Sequence, residues 1–137
     1  MSPDALLDTN ILLRHVLNDN PTQSPRATAL IRAIERGDRA VRLADTVVFE
    51  TAFTLEKVYR VPRVAIRDAL QPVLDLPGVV LPGKRGCRRV FDLYVRHPGL
   101  SFADCYHLIL LQRLKLAEII SFDQKVGRVP GVTRAEP

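Results

Sequence analysis

Apolar residues follow two rhythms along this chain. Short stretches centred on a few apolar residues predict strands: DALLD (4–8), AVRLA (40–44), GVVLP (78–82), AEIIS (117–121) and a last short GVTR (131–134). Between them lie longer stretches with helical spacing. SPRATALIRAIERGD (24–38) keeps Ala27, Leu30, Ile31 and Ile34 on one face, with Ser24 as candidate N-cap, Pro25 in the first helical position and Gly37 at the end. Further helices are predicted from a cap at Asp45 or Thr46 to about Arg60, over 63–75 with a kink at Pro72, over 84–97 and over 101–115. NDNPTQSP (18–25) and VLPGKRG (80–86) carry turn chemistry and are short enough to lie inside one domain. Strands alternating with helices predict an α/β fold: a single domain over 1–137, with a mostly parallel central sheet of four to five strands and helices on both faces. In such sheets ligands sit beyond the carboxyl ends of the strands.

The first strand raises the question of function. LLDTNILL (6–13) places a carboxylate, Asp8, where an apolar run should continue. Asp8 ends the first strand, and Glu50 lies in the first turns of the helix after the second. Asp104 lies in the first turn of the helix starting near Ser101, and Asp123 follows AEIIS by two residues. A parallel sheet would send all four to one edge. Each acid also has a plain structural reading. Asp8 would cap the helix TNILLRHVL, a contribution of about 1 kcal/mol. Glu50 would be a solvated side chain, against which stands a helix with Val47, Phe49, Phe53 and Val58 on it, apolar nearly all round. SFAD (101–104) has the form of a capping box, although Leu108 and Leu111 continue the line of Asp104 as an apolar stripe. Asp123 in SFDQK would be a turn or cap residue.

Bringing such acids together is costly, since two like charges about 4 Å apart repel by about 4 kcal/mol at an effective dielectric of roughly 20. Protonation or a cation between them relieves this. An all-oxygen site suits Mg²⁺ or Mn²⁺. The sequence lacks zinc spacing: His15, His97 and His107 are scattered, and the two cysteines, Cys87 and Cys105, form no C-x-x-C pair. Those cysteines read as reduced thiols, and no apolar run approaches the length of a membrane span, so a cytoplasmic protein is expected. Asp4 and Asp8 stand where a signal peptide would need a basic start and an apolar core.

Composition narrows the partner. The chain has 137 residues, 47% hydrophobic and 26% charged, the balance of an ordinary globular domain. Its net charge of +5 favours an anionic partner, nucleic acid first. GKRGCRR (83–89) concentrates basic residues, as a solvated helix start also would. A carboxylate-bound divalent metal in a basic protein points to phosphodiester hydrolysis. Arg14, Lys84, Arg85 and Arg128 are candidates for holding a phosphate backbone.

These motifs have a family likeness. LLDTNILL resembles the opening of PIN-domain nucleases, and VVFETAFTL resembles their second acidic motif. SFADCYHLILLQRLKLAEIISFDQKVGRVPGV resembles their third and fourth, with the closing strand. Size and motif order resemble in particular the VapC-type toxins of bacterial and archaeal toxin–antitoxin pairs. The resemblance implies that Asp8, Glu50, Asp104 and Asp123 are catalytic and hold one or two Mg²⁺ or Mn²⁺ ions, with Thr9, Asn10 and Ser121 shaping the pocket. It implies endonucleolytic RNA hydrolysis leaving a 5′-phosphate and a 3′-hydroxyl. It also implies a homodimer and a cognate VapB-type antitoxin whose tail wraps the toxin, often with a basic residue among the acids. Two departures stand out. Cys105, Tyr106 and Leu110 are larger than the family's usual residues after the third acid, and Ser121 stands where Thr is frequent. Competing readings are an RNA-processing nuclease of the same fold without an antitoxin and a non-catalytic RNA-binding module. A phosphatase using Asp8 as nucleophile would need a second Asp where this chain has Asn10.

Overall fold

The structure is a computed structural model and describes residues 2–137. Its contacts divide the chain into two compact units, one through Lys84 and one from Arg85.

In the first unit the chain pairs at Leu6 with Arg42 in a parallel bridge and then turns into α1 (Thr9–Leu17). Asn18 closes α1 in the left-handed conformation, at φ 49°. α2 spans Gln23–Glu35, β1 Val41–Arg42, α3 Asp45–Lys57, α4 Arg63–Leu74 and β2 Val79–Val80. β1 and β2 pair in parallel, Val41 opposite Val79. Leu12, Ile31, Ile34, Leu43, Leu55, Ile66, Leu70 and Leu74 are fully buried, each burial contributing about 1.5–3 kcal/mol. α1 packs on α2 and on α3.

The start of α2 differs from expectation. Ser24 is buried inside the helix, where its Oγ accepts from Asn20 N–H. Asn20 does the capping, its Oδ1 accepting from the backbone N–H groups of Thr22 and Gln23. An Asx turn uses the amide that a loop reading leaves unassigned. At the other end Gly37, at φ 82°, follows the cap as anticipated.

A 3-10 turn over Lys84–Gly86 begins at the last residue of the first unit and leads, in the second, into α5 (Cys87–Arg96), followed by α6 (Phe102–Arg113), β3 (Ile119–Ile120) and β4 (Arg134–Ala135). The continuous helix expected over 84–97 therefore begins as a tighter turn. α5 packs on α6. Phe91, Tyr94 and Phe102 meet edge to face, with centroids 5.1–6.5 Å apart. β3 and β4 pair in parallel, Ile119 opposite Arg134.

The α/β content stands, and the pairings among the described residues are parallel. The sheet does not match expectation. In place of one sheet of four to five strands, the described backbone has two sheets of two strands each, the first extended by the Leu6 bridge. Every strand is two residues long, so apolar runs of five residues spend most of their length outside any ladder.

Candidate active site

The first unit holds two of the four expected acids. Leu7 N–H bonds to Arg42 O at 2.9 Å, fixing the chain beside β1. The next residue, Asp8, is extended (φ −92°, ψ 160°) and caps α1, its Oδ1 accepting from Thr9 N–H at 2.8 Å. The cap reading of Asp8 is therefore realised. It uses one carboxylate oxygen. Thr9 then donates its hydroxyl to Glu50 Oε2 at 2.8 Å, across 41 residues of sequence. Thr9 thus joins the start of α1 to α3. Asp8 and Glu50 both follow parallel-paired segments, at the carboxyl side expected for a ligand site.

The second unit holds the other two. Ser101 and Asp104 form a complete capping box: Ser101 Oγ accepts from Asp104 N–H, and Asp104 Oδ2 accepts from Ser101 N–H, both at 3.0 Å. Leu108 and Leu111 are buried, so the apolar stripe beneath Asp104 is present, and the backbone N–H is part of what compensates the carboxylate. Asp123 caps a 3-10 turn (Gln124–Arg128) by accepting from Lys125 N–H at 2.9 Å. Its own N–H donates to Ser121 Oγ at 3.0 Å. Ser121 is fixed in turn by Ala135 O, which accepts its N–H, and by Arg134 Nη1, which donates to its carbonyl.

A common pattern emerges. Each of the four acids gives one carboxylate oxygen to a nearby N–H or O–H, and among the described residues the other oxygen has no partner. None of the four enters an ion pair with a described Lys, Arg or His. The carboxylates are held in place, and no described cationic side chain pairs with them. Oxygen-only donors suit a hard cation, and Mg²⁺ is commonly held by only one or two carboxylates with water and phosphate completing the shell. Each unit's pair fits that demand in kind. Among the described residues no group of three or more His, Cys, Asp or Glu side chains is gathered to hold a metal.

Other expectations need correction. α3 is not apolar all round: Glu50 is exposed, and so are Phe53 (60%) and Val58 (65%), because that face of the helix is left uncovered within the described chain. Glu50 is thus solvated, and its hydrogen bond from Thr9, not burial, holds it in place. Lys84 is not a loose cation for RNA. Its Nζ donates to the carbonyls of Leu76 and Val79 at 2.6 and 2.8 Å, bracing the turn around β2. Arg14 pairs with Asp19 at 2.8 Å and donates to Tyr59 Oη at 3.3 Å. The Tyr59 hydrogen bond chiefly, with Asp19 beside it, raises its pKa. Arg85 and Arg128 are exposed and make no hydrogen bond or ion pair with described residues.

Sequence reasoning missed Arg134, the brace on Ser121, and also Gln23 and Arg26. The latter two line a cleft of about 370 Å³ with Asn10, Ile11 and Arg14. The helical spacing of 23, 26, 27 and 30 carried the signal, since it puts these residues on one side of α2, but nothing local marked that side as facing α1.

A family model for the PIN domain matches residues 5–132. Two relatives named as ribonucleases align with the chain over 134 residues at 28% identity: VapC ribonuclease Mb1869c of Mycobacterium bovis and ribonuclease VapC13 of Mycobacterium tuberculosis. Each alignment covers 94% of this chain and 97% of the relative.

Proposed function

The chain belongs to the PIN-domain family, and from that premise we propose that it is a divalent-metal-dependent endoribonuclease, the toxin of a toxin–antitoxin pair, acting in the cytoplasm. Residues 1–137 are read as one nuclease domain, as the extent of the family match supports. The ribonuclease names of both relatives, over nearly their whole length, support the activity.

The observation that carries the reading is the unmatched oxygen on each of Asp8, Glu50, Asp104 and Asp123. Carboxylates fixed by hydrogen bonds yet lacking a counter-charge are suited to Mg²⁺ or Mn²⁺. When bound, the metal lowers the pKa of a water and stabilises charge on the phosphate oxygens. The chain's own residues do the rest. Thr9 orients Glu50, and Ser121 orients the backbone of Asp123. Arg85 and Arg128 are available to phosphate. The same unmatched charge would receive a basic side chain from a VapB-type antitoxin, and a homodimer is the assembly we infer.

The test is to incubate the antitoxin-free protein with total RNA and Mn²⁺ and to sequence the 5′-phosphate ends. New ends at a few sites, absent with EDTA and absent for Asp8→Asn, are expected. Ends that persist in EDTA would refute metal dependence. A folded protein that binds Mn²⁺ and makes no ends in any RNA pool would refute the nuclease reading in favour of a binding module.

A further inference from the structure

The cleft between α1 and α2 is not explained by the four acids. Ile11, Ala27 and Leu30 line it with apolar surface, Ala27 being buried. Asn10, Arg14, Gln23 and Arg26 line it with polar groups, all but Arg14 exposed. Arg14 is already engaged by Asp19 and Tyr59. By contrast, the side chains of Asn10, Gln23 and Arg26 make no hydrogen bond or ion pair with described residues. A pocket of about 370 Å³ with an apolar wall and a few unemployed polar groups has the make-up of a small-ligand site.

Its chemistry selects the ligand. Arg26 supplies a planar, permanently charged fork suited to phosphate. The two amides, Asn10 and Gln23, each offer donors and an acceptor, the complement of a nucleobase edge. The aliphatic lining suits the face of a base. Location agrees as well. Asn10 directly follows Thr9, which is bonded to Glu50, and lies two residues after Asp8. RNA with a phosphodiester at these acids would have an adjoining nucleotide within reach of the cleft.

We propose that this cleft is a nucleotide subsite for single-stranded RNA, with Arg26 on a phosphate and the Asn10 and Gln23 amides reading the base. The assignment rests on the nuclease reading for its substrate, but its test does not depend on cleavage. The full chain is titrated in EDTA with short fluorescent homopolymeric RNA strands at several salt concentrations. Arg26→Ala should weaken binding about tenfold and lower the salt slope by about 0.7, the loss of one phosphate contact on a single strand. Arg36→Ala removes the same charge outside the cleft and should change neither. Gln23→Ala should reorder the preference among the four homopolymers and leave the slope intact.

Equal losses for Arg26→Ala and Arg36→Ala would overturn the subsite, leaving only undirected charge. So would unchanged RNA binding in Arg26→Ala, which would leave the cleft without a phosphate contact. A parallel cleavage assay with Mn²⁺ separates the two readings. Cleavage without the expected binding pattern refutes the subsite alone. The binding pattern from a folded, Mn²⁺-binding protein that cleaves no RNA pool supports the subsite and refutes the nuclease.

Discussion

Glu50 receives its hydrogen bond from Thr9, 41 residues away in the chain, whereas Asp104 receives its own from Ser101, three residues away. The first unit positions an acid by packing α1 against α3; the second does so by helix capping and by the Asx turn at Asp123. In the first unit Asp8 is held by its sequence neighbour and Glu50 by tertiary structure, whereas in the second both acids are held by sequence neighbours. The end state is the same in both, one oxygen restrained and one unmatched. Two physical routes thus yield carboxylates of the same readiness, and they should fail in different ways when disturbed.

The largest effect should come from removing charge while keeping geometry. Asp8→Asn, Glu50→Gln, Asp104→Asn and Asp123→Asn each retain an oxygen able to accept the existing hydrogen bond, and Asn caps helices as well as Asp does. Each should lower RNA cleavage by about a hundredfold or more, the scale on which removing one group that stabilises transition-state charge is felt. Melting temperatures should hold or rise. A variant that unfolds would show that its acid is structural. Full activity in both second-unit variants would confine the chemistry to the first.

Intermediate effects should divide the two routes. Thr9→Val removes the hydroxyl between α1 and α3 at nearly constant volume. Cleavage should fall by about tenfold, the lower range for groups that orient metal ligands, with little change in melting. Ser101→Ala removes a cap worth about 1 kcal/mol, lowering the melting temperature by about 4 °C in a chain of this size. Asp104 keeps its bond to Ser101 N–H, so cleavage well below the melting point should stay within about twofold. The opposite pattern, with Thr9→Val silent in activity and Ser101→Ala inactive while folded, would reverse the comparison.

The smallest effect concerns pH and belongs to the packing that supports the first route. His15 on α1 has Nδ1 2.9 Å from Thr28 Oγ1 on α2. Burial lowers its pKa from 6.5, and Arg32 nearby lowers it further. The unfolded chain therefore binds this proton more readily than the folded one. Stability is complete above about pH 6.5 and declines as pH falls toward the depressed folded value. His15→Gln should flatten that part of a melting-temperature profile against pH. An unchanged profile would assign the acid sensitivity to other groups.

How much of this was legible in the sequence differs by region for the same reason. The capping box at Ser101–Asp104 was legible because both partners lie within one helical turn. Asp8 was legible as a cap and as a break in an apolar run, and both descriptions hold in the backbone. The helices were found because burial of one face imposes a period. Strand extents were not, because β pairing is decided by a distant partner, and here each ladder is two residues long.

The sequence by itself determined the order of elements, the identity of four acids and the local caps that hold three of them, since these depend on spacing of a few residues. Only the tertiary structure decided that Thr9 reaches Glu50, that Lys84 braces a turn and that Arg26 and Gln23 share a cleft with Asn10. Those contacts join residues that do not share an element. Their geometry follows from how the helices pack, which no local pattern of residues specifies.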